Sequence, residues 1–227
     1  MKVPMKTTIF SLLFFAPLPT IGVVFAAFLD VGVIGQAIWA CSKIILFIGP
    51  VFYWRFVQKN KLVFPAVKKQ GMLAGIISAI LLALVIFLSY WLIARPNLNA
   101  EPLKDMMQSV GLTSPEKYVV LALYLTLINS LIEEYVFRWF FFKQLSQVMN
   151  PSSAVFFAAV LFTVHHTVVL AAYLPWYFNL LASLGVLSGG LIWSYLYYRY
   201  GHIWPSYISH IGADVGVFSV GYVLLFC

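Results

Sequence analysis

Long apolar runs recur along almost the whole chain, and they fix what it can fold into. They lie at roughly residues 8–28, 34–54, 71–94, 117–140, 152–173, 178–198 and 203–226, each close to the ~20 residues that cross a bilayer core as a helix. In hydrocarbon, every backbone N–H and C=O must find its partner within the chain, so runs of this length read as helices. Composition agrees. The chain is 63% hydrophobic and 9% charged, against roughly 25% charged in a soluble domain. The expected fold is therefore all-α, a polytopic transmembrane helical bundle of about seven spanning helices joined by short loops. Residues 1–116 supply the N-terminal membrane helices and an external loop, and 117–227 complete the same bundle.

Charge placement orients this bundle. Arg55, Lys59, Lys61, Lys68 and Lys69 share one connection that holds no acid, which marks it as cytoplasmic. The connection from Arg95 to Lys117 mixes bases with acids and carries Pro96, Pro102 and Pro115, which suits an external loop over the mouth of the bundle. Alternation then places Arg138, Lys143 and Arg199 inside and Cys227 outside, in an inner cell membrane. The N-terminus is cytoplasmic unless the first run is a cleaved signal. Lys2, Lys6 and the small residues of "VVFAA" allow a signal peptide, but the run is long and contains Pro17 and Pro19, which favours a retained helix. The net charge of +7 sits in loop clusters beside apolar runs and matches an anionic lipid surface rather than nucleic acid. Cys41 and Cys227 make no disulfide framework and read as small hydrophobes.

Against this background, ionisable residues inside spans stand out. Asp30, Glu101, Asp105 and Glu116 fall in loops or near span ends, but Glu133, Glu134, Asp214, His165, His166 and His210 lie within apolar runs. Each costs about 2.5–3.5 kcal/mol at mid-helix on insertion scales and is expected to face a cavity or a polar partner. Glu134 and Arg138 are spaced to pair on one helix face, as are Asn129 with Glu133 and His210 with Asp214. Glu133 is turned by about 100° from Glu134, so one glutamate can be held by the arginine while the other points to a different helix. His165 and His166 cannot both face one point of a regular helix. The aromatic run Trp139–Phe142 suits a membrane interface and an apolar substrate path. Lys43 lies in the second span, where it snorkels or lines a cavity, and the sequence gives it no role.

Two chemistries fit a glutamate, a histidine and a His-x-x-x-Asp face drawn from different helices. Glu133, His166, His210 and Asp214 are the nitrogen and oxygen ligands that a divalent metal such as zinc takes, with one position open to water. Alternatively a buried glutamate takes a proton from water, while histidines orient that water or stabilise an oxyanion. Both lead to amide hydrolysis. No His-Glu-x-x-His, Gly-x-Ser-x-Gly, Gly-x-Gly-Asp, phosphate loop or dinucleotide fingerprint occurs. "LSGG" at Leu187–Gly190 reads as close helix packing.

Together the segments Glu133-Glu134-Tyr135-Val136-Phe137-Arg138, Phe162-Thr163-Val164-His165-His166 and His210-Ile211-Gly212-Ala213-Asp214 resemble the motif set of the CPBP intramembrane proteases. That family includes the type II CAAX prenyl endopeptidases and the Abi proteins. The resemblance spans about residues 117–220 and makes 117–227 the catalytic core. It implies that Glu133 activates the attacking water, assisted by His166, with Phe162 and His165 beside it. It implies that His210 and Asp214 form the oxyanion or ligand pair, and that Glu134 and Arg138 give structural support. Several prenyl endopeptidases carry asparagine where this chain has Asp214, and an ionised aspartate cannot donate a hydrogen bond to an oxyanion. The implied partner is a membrane-anchored protein or peptide met at the bilayer, such as a C-terminal sorting tail or a CAAX-type tail. Two readings of another class remain: a non-catalytic immunity or scaffold protein of the same family, and a proton-coupled transporter.

Overall fold

The computed structural model describes residues 5–29, 31–62, 66–99, 101–109 and 111–227, so Lys2 and Asp30 lie outside the described residues. Every regular element among them is helical. Seven helices are long and apolar enough to cross a membrane, and the chain is an integral membrane protein. They are α1 (Met5–Ala27), α2 (Val33–Val57), α3 (Met72–Ala94), α5 (Pro115–Leu145), α6 (Pro151–Ala171), α7 (Trp176–Tyr200) and α8 (Trp204–Phe226). A shorter helix, α4 (Glu101–Ser109), interrupts the polar connection before α5. It is charged and lacks the apolar periodicity that marks the spans, so the sequence reading left it as loop.

Local signals explain where several spans begin and end. Ser114 caps α5 by accepting from the Lys117 N–H, with Pro115 at the first helical position. Asn150 caps α6 in the same way, accepting from the Ser153 N–H at 2.9 Å ahead of Pro151. Each cap satisfies one of the orphan donors of a first turn, and proline gives up an N–H that would have had no partner there. Gly201, at φ 73°, closes α7 in the left-handed conformation and turns the chain into α8. A turn at Ala16–Pro17 breaks α1, because proline cannot continue the hydrogen-bond ladder of the preceding turn.

The most extensive helix pairs are α3 with α8 and α6 with α7, followed by the second half of α1 with α2. Apolar surface gains little by leaving lipid, so close backbone approach and van der Waals packing hold such pairs. Gly212, inside the third motif, lets α8 meet α3: a Cβ there would stand 2.4 Å from the Ala79 Cβ. Gly75 plays the same part at the other end of this pair, 2.6 Å from the Pro205 carbonyl oxygen. The Gly212 side of α8 thus grips α3, which leaves His210 and Asp214 facing α5. Gly212→Leu is expected to push α3 and α8 apart and destabilise the bundle by about 1–3 kcal/mol. A lower unfolding temperature in detergent would show it, with Gly185→Leu as a control because nothing lies within 4 Å of a Cβ at Gly185.

The aromatic run of α5 does not sit at the interface. Phe140 and Phe141 have no exposure, and Phe142 is also buried. Phe140 packs edge-on against Phe15 of α1 and Tyr53 of α2. These rings form the bundle core because α1 and α2 close over this face of α5. Phenylalanine suits core and interface equally, so only the tertiary arrangement decides between them.

Candidate functional site

The middle of α5 departs from regular α geometry. Leu125–Asn129 and Glu134–Phe142 are π-helical, flanking a short α-helical segment at Ser130–Glu133. In a π-helix the i→i+5 bond replaces i→i+4, so each turn holds an extra residue and side chains rotate from their usual faces. This overturns the expected divergence of the two glutamates. Glu134 Oε1 lies 3.0 Å from His210 Nδ1, and Glu133 Oε2 lies 3.6 Å from His210 Nε2. One imidazole on α8 therefore bridges both carboxylates.

The two glutamates differ in depth. Glu134 has no solvent exposure, and its Oε1 stands 3.5 Å from Nε of the equally sealed Arg138. No nitrogen of that guanidinium makes an aligned hydrogen bond. It lies instead over the rings of Phe162 at 4.7 Å and Trp193 at 5.2 Å. The cation is thus held by aromatic faces and one carboxylate, an arrangement open to arginine because its guanidinium is planar and weakly hydrated. Glu133 retains 11% of its side-chain exposure and Asp214 retains 20%. Of the adjacent pair, only Glu133 can meet water.

Tautomers follow from fixed partners. His166 Nδ1 lies 2.9 Å from the Phe162 carbonyl oxygen. A carbonyl only accepts, so Nδ1 carries the hydrogen and the neutral ring turns a bare Nε2 away from its own helix. The ring also stacks near Phe162, with centroids 4.1 Å apart. His210 donates through Nδ1 to the Glu134 carboxylate, which again leaves Nε2 bare, here toward Glu133 and Asp214. His165 is buried behind His166, with ring centroids 5.1 Å apart and its Nδ1 without a partner. The charge of Glu133 is coupled to His166, His210, Lys43 and His165.

Residues that carried no sequence signal hold this cluster. Trp193 of α7 stacks on His210 with centroids 3.9 Å apart, and its Nε1–H donates to Ser209 Oγ at 3.0 Å. It fixes the ring plane from the side opposite the carboxylates. Ser130 makes a short hydrogen bond with Asp214 and also reaches the Leu125 carbonyl at 2.9 Å. It takes the place expected of Asn129, which makes no hydrogen bond to Glu133 among the described residues. The π-helical turn at Leu125–Asn129 rotates Asn129 off that face. Ser130→Ala leaves Asp214 without this partner. Because water reaches Asp214, the expected loss is near the lower end of about 1–3 kcal/mol, read as a reduced unfolding temperature.

Glu133, His166, His210 and Asp214 have the donor chemistry that zinc accepts. Among the described residues, however, no three histidine, cysteine, aspartate or glutamate side chains converge as a metal centre requires. The arrangement fits a water-handling cluster better than a ligand cage. Its outward atoms are two bare imidazole nitrogens and two carboxylates, all able to accept a proton or a hydrogen bond.

Residues 115–216 match the family model described as type II CAAX prenyl endopeptidase Rce1-like. The matched stretch runs from the start of α5 into α8 and contains Glu133, Glu134, Arg138, Phe162, His165, His166, His210 and Asp214. No curated protein and no solved structure matches the chain. Over residues 115–216, this chain carries a domain of the Rce1-like type II CAAX prenyl endopeptidase family.

Proposed function

We propose that the protein is an intramembrane endopeptidase that hydrolyses a peptide bond in a membrane-anchored protein or C-terminal tail. The observation that carries this reading is the unequal pair of glutamates. Glu134 is sealed between Arg138 and His210, and Glu133, the one still open to water, faces the same histidine. A carboxylate beside two bare imidazole nitrogens can hold a water molecule by both hydrogens and remove one of them. Family membership of residues 115–216 supports a protease.

In this mechanism His166 and His210 orient the water through Nε2, and Glu133 takes its proton as the oxygen attacks the carbonyl carbon. Glu134 and Arg138 position His210, and Trp193 holds its ring plane. On collapse, Glu133 returns the proton to the leaving amine. An apolar groove of about 390 Å³ runs between α5 and α8 along Tyr118, Ala122, Thr126, Val215 and Phe218. Val215 adjoins Asp214, and Thr126 lies one helical turn before Ser130, so the groove leads a bilayer-embedded tail toward the site. The enzyme would work in the cell membrane, with the basic loop from Arg55 to Lys69 on the cytoplasmic side.

The test uses the full chain purified in detergent and then placed in liposomes. It is offered a farnesylated CAAX peptide and an unmodified peptide with an apolar helical tail, and products are identified by mass spectrometry. Cleavage of either at one internal bond supports the reading and names the substrate class. Absence of cleavage of any membrane-anchored peptide would overturn it.

A further inference from the structure

Lys43 stands outside the family-matched residues, yet it belongs spatially to the site. The Tyr135 hydroxyl of α5 donates to the Phe47 carbonyl of α2 at 3.0 Å, and the two rings pack edge to face. That contact pins α2 alongside α5. Lys43 lies one turn before Phe47 and Glu133 lies two residues before Tyr135, so both stand on the same side of the pin. The ammonium is electrostatically coupled to Glu133, His165 and His166. It is half-buried in the middle of a spanning helix, and its nearest aromatic neighbour is Trp39 at 5.8 Å. Among the described residues it makes no ion pair and no hydrogen bond. A cation kept at that depth without a counter-ion is expected to meet an anion that arrives or forms during function.

The site lacks a donor. Nε2 of both His166 and His210 is a bare lone pair when Nδ1 carries the hydrogen. Glu133 and Asp214 are acceptors when ionised, and Arg138 is sealed with no exposure. Amide hydrolysis nevertheless forms an oxyanion that needs donors or positive charge. Lys43 carries three N–H donors on a flexible stem.

We propose that Lys43 is the electrophilic residue of the reaction and that its ammonium stabilises the tetrahedral oxyanion. This rests on the proposed hydrolysis. Water oxygen bonds to the carbonyl carbon, the C=O π pair moves onto oxygen beside Lys43, and Glu133 takes the water proton. When the C=O bond re-forms, the C–N bond breaks and the amine leaves with the proton from Glu133. Lys43 donates hydrogen bonds throughout and gives up no proton. An electrophile on α2 would complete the three motif helices from the N-terminal half of the bundle.

The experiment measures kcat and KM for wild type, Lys43→Met, Lys43→Arg and Glu133→Gln on the cleaved peptide and on a second peptide with no acidic side chain. A phosphinic analogue is titrated in parallel, since its tetrahedral anionic oxygen mimics the intermediate. Lys43→Met is expected to lower kcat about 10²–10³-fold on both peptides, with KM changed only slightly. Affinity for the phosphinic analogue should fall by a similar factor, and Lys43→Arg should recover part of both losses. Unchanged kcat, a loss confined to acidic peptides, or unchanged phosphinic affinity would overturn the proposal. Should Lys43→Met fail to fold, the same titration on Lys43→Gln decides. Full activity of Glu133→Gln would instead sink the proposed hydrolysis itself, which keeps the two failures distinct.

Discussion

Glu133→Gln is expected to lower kcat by about 10²–10⁴-fold, the range over which a positioned general base contributes, with no loss of folded protein. Glutamine matches the volume and polarity of the carboxyl but cannot take a proton from water. Glu133 also sits 3.6 Å from its nearest charged partner and retains solvent access, so little of the bundle depends on its charge. A kinetic collapse with an unchanged unfolding temperature would mark it as the base. Parallel loss of activity and fold would make it a structural residue. The neighbouring substitution should behave oppositely. Glu134→Gln removes the one carboxylate beside a sealed guanidinium and is expected to act first on stability.

The second large effect is at Arg138. With neither Arg138 nor Glu134 exposed, removing one partner leaves the other charge buried without compensation. Such losses cost about 3–5 kcal/mol. Arg138→Met should therefore lower the unfolding temperature strongly. The paired variant Arg138→Met with Glu134→Gln should recover much of that loss, because two neutral groups of similar size no longer strand a charge. Additive losses in the double variant would contradict the coupling. Activity in the double variant is expected to stay low, since His210 loses the carboxylate that fixes its Nδ1.

The sequence made the membrane spans legible because hydrocarbon allows few solutions. A long uncharged run has to satisfy its own backbone, and the helix is the structure that does so. The structure places a membrane-length helix over each run read from sequence, with shifted ends. The polar residues inside those spans were equally visible, since each carries an insertion cost that marks it out. Geometry on α5 was not visible. Nothing in "NSLIEEYVFRWFFF" signals an i→i+5 ladder, so helical spacing sent Glu133 and Glu134 to different helices when both reach His210. The same turn removed Asn129 from Glu133 and brought Ser130 to Asp214. A serine one turn before two buried glutamates was a signal that could have been used. Trp193 gave none, because a tryptophan in an apolar helix is ordinary until its neighbour across the bundle is known. Lys43 was legible as a cation in a span, but its relation to Glu133 depends on α2 lying against α5, which no local pattern encodes.

The most direct test of the central claim is to follow the oxygen of the attacking water. Wild-type and Glu133→Gln proteins in liposomes are given a membrane-anchored peptide in water enriched in ¹⁸O, and both fragments are weighed by mass spectrometry. The account predicts a single internal cut by wild type. The new C-terminal carboxylate should carry one oxygen from the labelled water, and Glu133→Gln should give almost no product. An intact peptide with wild type, or equal labelled product from both proteins, would contradict it.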